Sequence, residues 1–83
     1  MKTILIMLLK GNVSSTNLNN FFLFVDPFLE QQGFQPINDN PKVYMNEYDM
    51  TNVNIRNVIS KIKKQTNYNQ IVKSFHFGKL NKL

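Results

Sequence analysis

Few side chains in this sequence are equipped to break bonds. There is one histidine, His76, no cysteine, and five scattered carboxylates: Asp26, Glu30, Asp39, Glu47 and Asp49. That set excludes most zinc sites and most nucleophilic triads from a single chain. Two groups remain as candidates for acid–base or nuclease chemistry, His76 and Tyr44. His76 falls in a strand, on the side opposite Phe75 and Phe77, and its simplest reading is a half-buried polar strand position. The glycines at 11, 33 and 78 serve turns, and no glycine-rich loop is available to cradle phosphates. We expect no metal site and no cofactor.

Binding chemistry is better provided for. No acidic residue follows Asp49, yet seven cations do: Arg56, Lys61, Lys63, Lys64, Lys73, Lys79 and Lys82. The whole chain carries a net charge of +5, so the positive field is one-sided, a physical reason to expect a polyanionic partner. Arg56, Lys61, Lys63, Lys64, Lys73 and Lys79 are the expected nucleic-acid-binding residues. Tyr44 and Tyr48 alternate along one strand face and would offer stacking surfaces for unpaired bases, as in the RNA-recognition motif. The first strand, Ile4 to Leu9, adds no aromatic to that surface.

The elements that must position these residues follow from apolar periodicity. Thr3 to Leu9 is apolar on both alternating faces, which predicts a central strand covered on both sides. Gly11-Asn12 ends it, and Ser14, Ser15 or Thr16 caps the next helix. Leu18, Phe21, Phe22, Val25, Phe28 and Leu29 share one helical stripe, with Leu23 and Phe24 lying off it. Pro27 predicts a kink there, or a second short helix capped by Asp26, and Gly33 ends the segment. Residues 34 to 48 read as a hairpin around Asn38-Asp39-Asn40-Pro41, with Pro36 on an edge. Asp49 or Thr51 caps a second helix with Ile55, Val58, Ile59 and Ile62 inward. Asn54, Asn57, Lys61 and Lys64 fall on its outer face. A loop at 67–69 leads to a last strand, Gln70 to Phe77.

Strand, helix, strand, strand, helix, strand in 83 residues predicts a single α+β domain of ferredoxin-like βαββαβ arrangement, with both helices on one face of an antiparallel sheet. With 42% hydrophobic and 12% aromatic residues the chain should be globular, not disordered. The bare sheet face, being apolar, calls for a second copy, so a homodimer is expected. Leu5, Met7 and Leu9, with the off-stripe Leu23 and Phe24, are the expected dimer or protein interface. The opening apolar run is too short to span a bilayer, and no membrane role is expected; the expected location is the cytoplasm. Thirteen asparagines reflect A/T-rich coding, as in some phage or mobile elements.

Several stretches carry a resemblance. They are Met1-Lys2-Thr3-Ile4, Leu29 through Gly33-Phe34, Lys42-Val43-Tyr44-Met45-Asn46, the helix ending Ile62-Lys63-Lys64, and Val72-Lys73-Ser74-Phe75-His76. In these the chain resembles the virulence-associated protein D family, small dimeric ferredoxin-like proteins related to CRISPR-adaptation endoribonucleases. The resemblance implies a homodimer acting on RNA. The family places an aspartate near the end of its first strand, where this chain has Met7, and no carboxylate occurs before Asp26. Binding of RNA without metal-dependent cleavage is therefore the expected function. Two alternatives stand beside it. One is an active endoribonuclease using His76 or Tyr44; the other is a phage-type inhibitor that docks on a host nucleic-acid enzyme, for which Leu23 and Phe24 would suit the contact.

Overall fold

Strand β1 (Lys2–Leu9) runs through the middle of a four-stranded antiparallel sheet, bonded to β3 (Lys42–Asn46) on one side and β4 (Val72–Leu80) on the other. Strand β2 (Phe34–Asp39) completes the spatial order β2-β3-β1-β4. The remaining elements are helices α1 (Ser15–Gln31), α2 (Asn52–Lys63) and the single turn α3 (Tyr68–Ile71). The computed structural model describes residues 1–81, so Lys82 lies outside the described residues. Among the described residues, no helix is long and apolar enough to cross a membrane. The α+β arrangement is compatible with a ferredoxin-like topology.

Each long helix starts where a hydroxyl satisfies a free backbone N–H. Ser14 Oγ accepts from Asn17 N at 3.2 Å, and Thr51 Oγ1 accepts from Asn54 N at 3.2 Å. Helix α1 continues unbroken through Pro27, so the two-helix alternative does not apply. The carbonyl that proline deprives of a partner belongs to Leu23, which is 71% exposed and leaves that oxygen to water. Phe21, Val25 and Leu29 of α1 meet Ile55, Val58 and Ile62 of α2 in one core with Leu5, Met7, Phe34 and Tyr44. Both helices therefore close the same side of the sheet.

That packing corrects the expected interface. Leu5 and Met7 are 0% exposed, because they point at the helices and build the core. Leu9 is half-buried against the same cluster. The face turned away from the helices carries Ile4, Ile6 and Leu8 instead, paired across the sheet with Met45 and Val43 on β3 and with Gly78, His76 and Ser74 on β4. Ile6 and Leu8 are 37% and 40% exposed. Leu23 and Phe24 are exposed on α1, as expected of off-stripe residues.

The last strand also starts later than its sequence suggests. Asn67 adopts the left-handed conformation, φ 71°, which asparagine tolerates, and this starts α3 where a loop was expected. Tyr68 then packs beside Phe21, and Ile71 is fully buried.

Gly33 closes α1 at φ +93° and tucks under β3. A Cβ there would lie 3.0 Å from Asn46 Nδ2, a buried amide that donates to Gln32 O and whose Oδ1 accepts from Tyr48 N. Gly33→Ala combines a disfavoured backbone with that crowding, and we expect it to lose about 2 kcal/mol in urea unfolding. A midpoint unchanged from the parent would show that neither constraint operates.

Candidate nucleic-acid interface

The nine cationic side chains among the described residues divide into two populations. In the sheet half, lysines are matched to acids: Lys2 to Glu47 at 3.4 Å, Lys42 to Asp39 at 2.6 Å and Lys79 to Asp49 at 2.6 Å. Lys10 donates to the backbone oxygen of Asn69. On α2 the pattern is the opposite. Arg56, Lys61, Lys63 and Lys64 are all exposed, and none forms an ion pair with a described residue; the same holds for Lys73. Lys73 stands on β4 between Val72 and Ser74, where a register shift opposite Leu8/Leu9 leaves it unpaired in the ladder.

Lys79 does not belong with these free cations. The pairing Thr3↔Lys79 brings its ammonium to the inner end of the sheet. There it donates to Asp49 Oδ1 and to Met50 O, and to Thr3 Oγ1 at 3.1 Å. Thr3 is fully buried; its hydroxyl also donates to Tyr48 O at 2.9 Å and accepts from Met50 N at 3.0 Å. The ammonium thus closes a structural knot that fixes the loop before α2. Its hydrogen bond is the first reason that the Asp49 carboxyl is held below the usual carboxylate range.

The two catalytic candidates are not brought together. Tyr44 faces the helices, 1% exposed, and donates to Asp26 Oδ1 at 2.6 Å. Burial, then the bond to Asp26 and its negative charge, pushes the Tyr44 hydroxyl well above its ordinary value. It is held protonated, which suits a structural donor and not a base. His76 is exposed on the opposite sheet face, across from Ile6, with β1 lying between the two residues' strands. Tyr44 is equally unavailable for base stacking, and the exposed Tyr48 lies beyond the end of β3. Among the described residues, no group of three His, Cys, Asp or Glu side chains converges.

The two long helices also border a groove. Asn54, Asn57 and Lys61 are exposed, as expected of the outer face, and they also line this groove of about 400 Å³ between α2 and the end of α1, with Phe28, Gln32, Met50 and Val58. Phe28 stacks on Phe24, ring centroids 5.5 Å apart and planes inclined by 15°, and Lys61 Nζ lies 5.9 Å from the Phe28 centroid. The i, i+4 aromatic pair and the i, i+3, i+7 row of Asn, Asn and Lys were the available signals. Pairing them required knowing how the helices sit side by side. Compared with protein-family models, with curated proteins and with solved structures, the chain matches none.

Proposed function

We propose that this chain is a small RNA-binding domain of ferredoxin-like topology that acts as a homodimer and does not cleave its ligand by a metal-dependent route. The observation that carries the reading is the segregation of charge. Every lysine near an acid is neutralised, while Arg56, Lys61, Lys63, Lys64 and Lys73 stay solvent-facing without a carboxylate partner among the described residues. Such a surface gains free energy by releasing the counterions of a polyanion. The resemblance to the virulence-associated protein D family favours RNA as that polyanion. Met7 is buried in the core at the position of the family's aspartate. The carboxylates nearest that end of the sheet, Asp26 and Asp39, are engaged by Tyr44 and Lys42.

The second copy is assigned to the open sheet face. Ile4, Ile6, Leu8, Val43 and Met45 form an apolar surface, and the unpaired α2 cations lie on the helix side of the sheet. Two such faces can therefore meet without burying an uncompensated lysine. Ser74 Oγ, beside Leu8 on this face, is shielded from solvent and has no hydrogen-bond partner within the chain. Light scattering at micromolar concentration should return the dimer mass, and a monomer there removes this part of the proposal.

The binding test is a salt titration with a labelled RNA oligomer. If about four or five phosphates are neutralised, log Kd should rise against log salt with a slope of about 3. Replacing Lys61, Lys63 and Lys64 together by glutamine should lower that slope by about 2. An affinity indifferent to salt would rule out the charged surface as the binding site, and EDTA-sensitive cleavage of the oligomer would show that the domain is a nuclease after all.

A further inference from the structure

The groove between α1 and α2 has features that phosphate binding alone does not use. Its lining is mainly neutral and polar, with the exposed amides of Gln32, Asn54 and Asn57, and the half-buried Phe28 supplies an aromatic edge. A single cation, Lys61, stands at its edge over the Phe28 ring. On the far side of the Phe24–Phe28 ring pair lies a second hollow of about 280 Å³, lined by Asn20, Phe24, Gln65, Thr66 and Asn67. The helical layer therefore presents a ring pair flanked by two amide-rich hollows, bordered by the free lysines of α2.

Each part has a counterpart in an unpaired nucleotide. Bases stack on aromatic faces, and primary amides form paired hydrogen bonds with base edges left free by the absence of a complementary strand. The Lys61 ammonium, on a flexible stem and 5.9 Å from the ring centroid, can yield the open face to a base and turn to the adjoining phosphate. A volume of about 400 Å³ falls within the range of small-ligand sites. We propose that this groove takes one unstacked base of single-stranded RNA on the Phe28 ring, its edge against the Asn54 and Asn57 amides and its phosphate at Lys61. This deepens the RNA-binding reading and rests on it. A duplex, whose bases are already stacked and paired, cannot use the groove.

The experiment compares two labelled oligomers of equal length and charge, oligoadenylate and its abasic counterpart, by fluorescence anisotropy at fixed salt. The base-bearing oligomer should bind at least about fivefold more tightly, the lower end of what one stacked base contributes. Phe28→Leu and, separately, Asn57→Ala should shrink that ratio while leaving the abasic affinity unchanged. The chain has no tryptophan, so Phe28→Trp places a lone reporter in the groove, to be quenched by oligoadenylate and not by the abasic strand. It also decides the matter if Phe28→Leu fails to fold. Equal, measurable affinity for both oligomers overturns the groove and leaves the charged α2 surface standing. Binding of neither overturns both.

Discussion

Leu5→Ala should cost about 2–5 kcal/mol in chemical denaturation, while Ile6→Ala, one residue along the same strand, should cost about 1 kcal/mol or less. Leu5 is fully enclosed between the sheet and both helices, so truncation removes buried methyl groups and leaves a cavity that its neighbours cannot fill. Ile6 is 37% exposed on the other face, and water replaces what truncation removes. A domain of this length has a total stability of about 5–10 kcal/mol to lose, so the Leu5 variant sits near the edge of folding. Both variants must be compared at one protein concentration, because the proposed association through the open face would add to apparent stability in a way that depends on Ile6. At a concentration low enough to keep the chain monomeric, equal losses, or a larger loss at Ile6, would mean that the strand's two faces are assigned the wrong way round.

Tyr44 gives the second large effect, and it appears only in alkali. In the unfolded chain its hydroxyl ionises near the ordinary value of 10.0, whereas in the folded domain burial and the Asp26 carboxylate hold the proton to higher pH. A raised folded value means stability that is complete below the unfolded value and lost as pH climbs beyond it. The expected slope is about 1.4 kcal/mol per pH unit above about pH 10. Tyr68, whose hydroxyl is also raised by burial, adds to the same trend. The contrast with Tyr44→Phe isolates the one residue. That variant should lose about 1 kcal/mol near neutrality with the bond to Asp26, yet show a shallower alkaline limb. Urea midpoints followed from about pH 9 to about pH 11 provide the comparison. Parallel limbs for the two proteins would show that Tyr44 does not titrate against folding.

The central position of β1 was legible because Ile4 to Leu9 is apolar at every residue; the cover expected on both of its faces is supplied within the chain on one face, while Ile6 and Leu8 are 37% and 40% exposed on the other. The same uniformity hid which face meets the helices. Strand alternation carries information only when one set of residues is polar, and here Leu5/Met7 and Ile6/Leu8 are equivalent in type. The core stripes of both helices were readable from their spacing, and so were the capping hydroxyls. Lys79 was misread for a different reason. Its partner Asp49 is remote in sequence, and only the antiparallel register Thr3↔Lys79 carries the ammonium to it. Tyr44 and Tyr48 shared a strand parity that pointed to a common surface, but the strand ends at Asn46 and parity alone does not say which side is wet. The Phe28–Lys61 groove lies between two helices, and no pattern within either one reports on its width.

Strand β1 is flanked by partners that emerge from synthesis at different times. Its pairing with β3 needs only the first 46 residues, but its other edge waits for β4, where Lys2 meets Leu80 and Leu9 meets Val72. A ribosome delivers β1 well before β4, so the most apolar strand stays unpaired along one edge while both helices are made. Contacts this distant in sequence must close a long loop before they contribute, which slows folding and prolongs the interval in which strand edges can pair between chains. The nine residues of β4 thus act as the latch of the nascent chain. Release before them leaves a sheet with its central strand open.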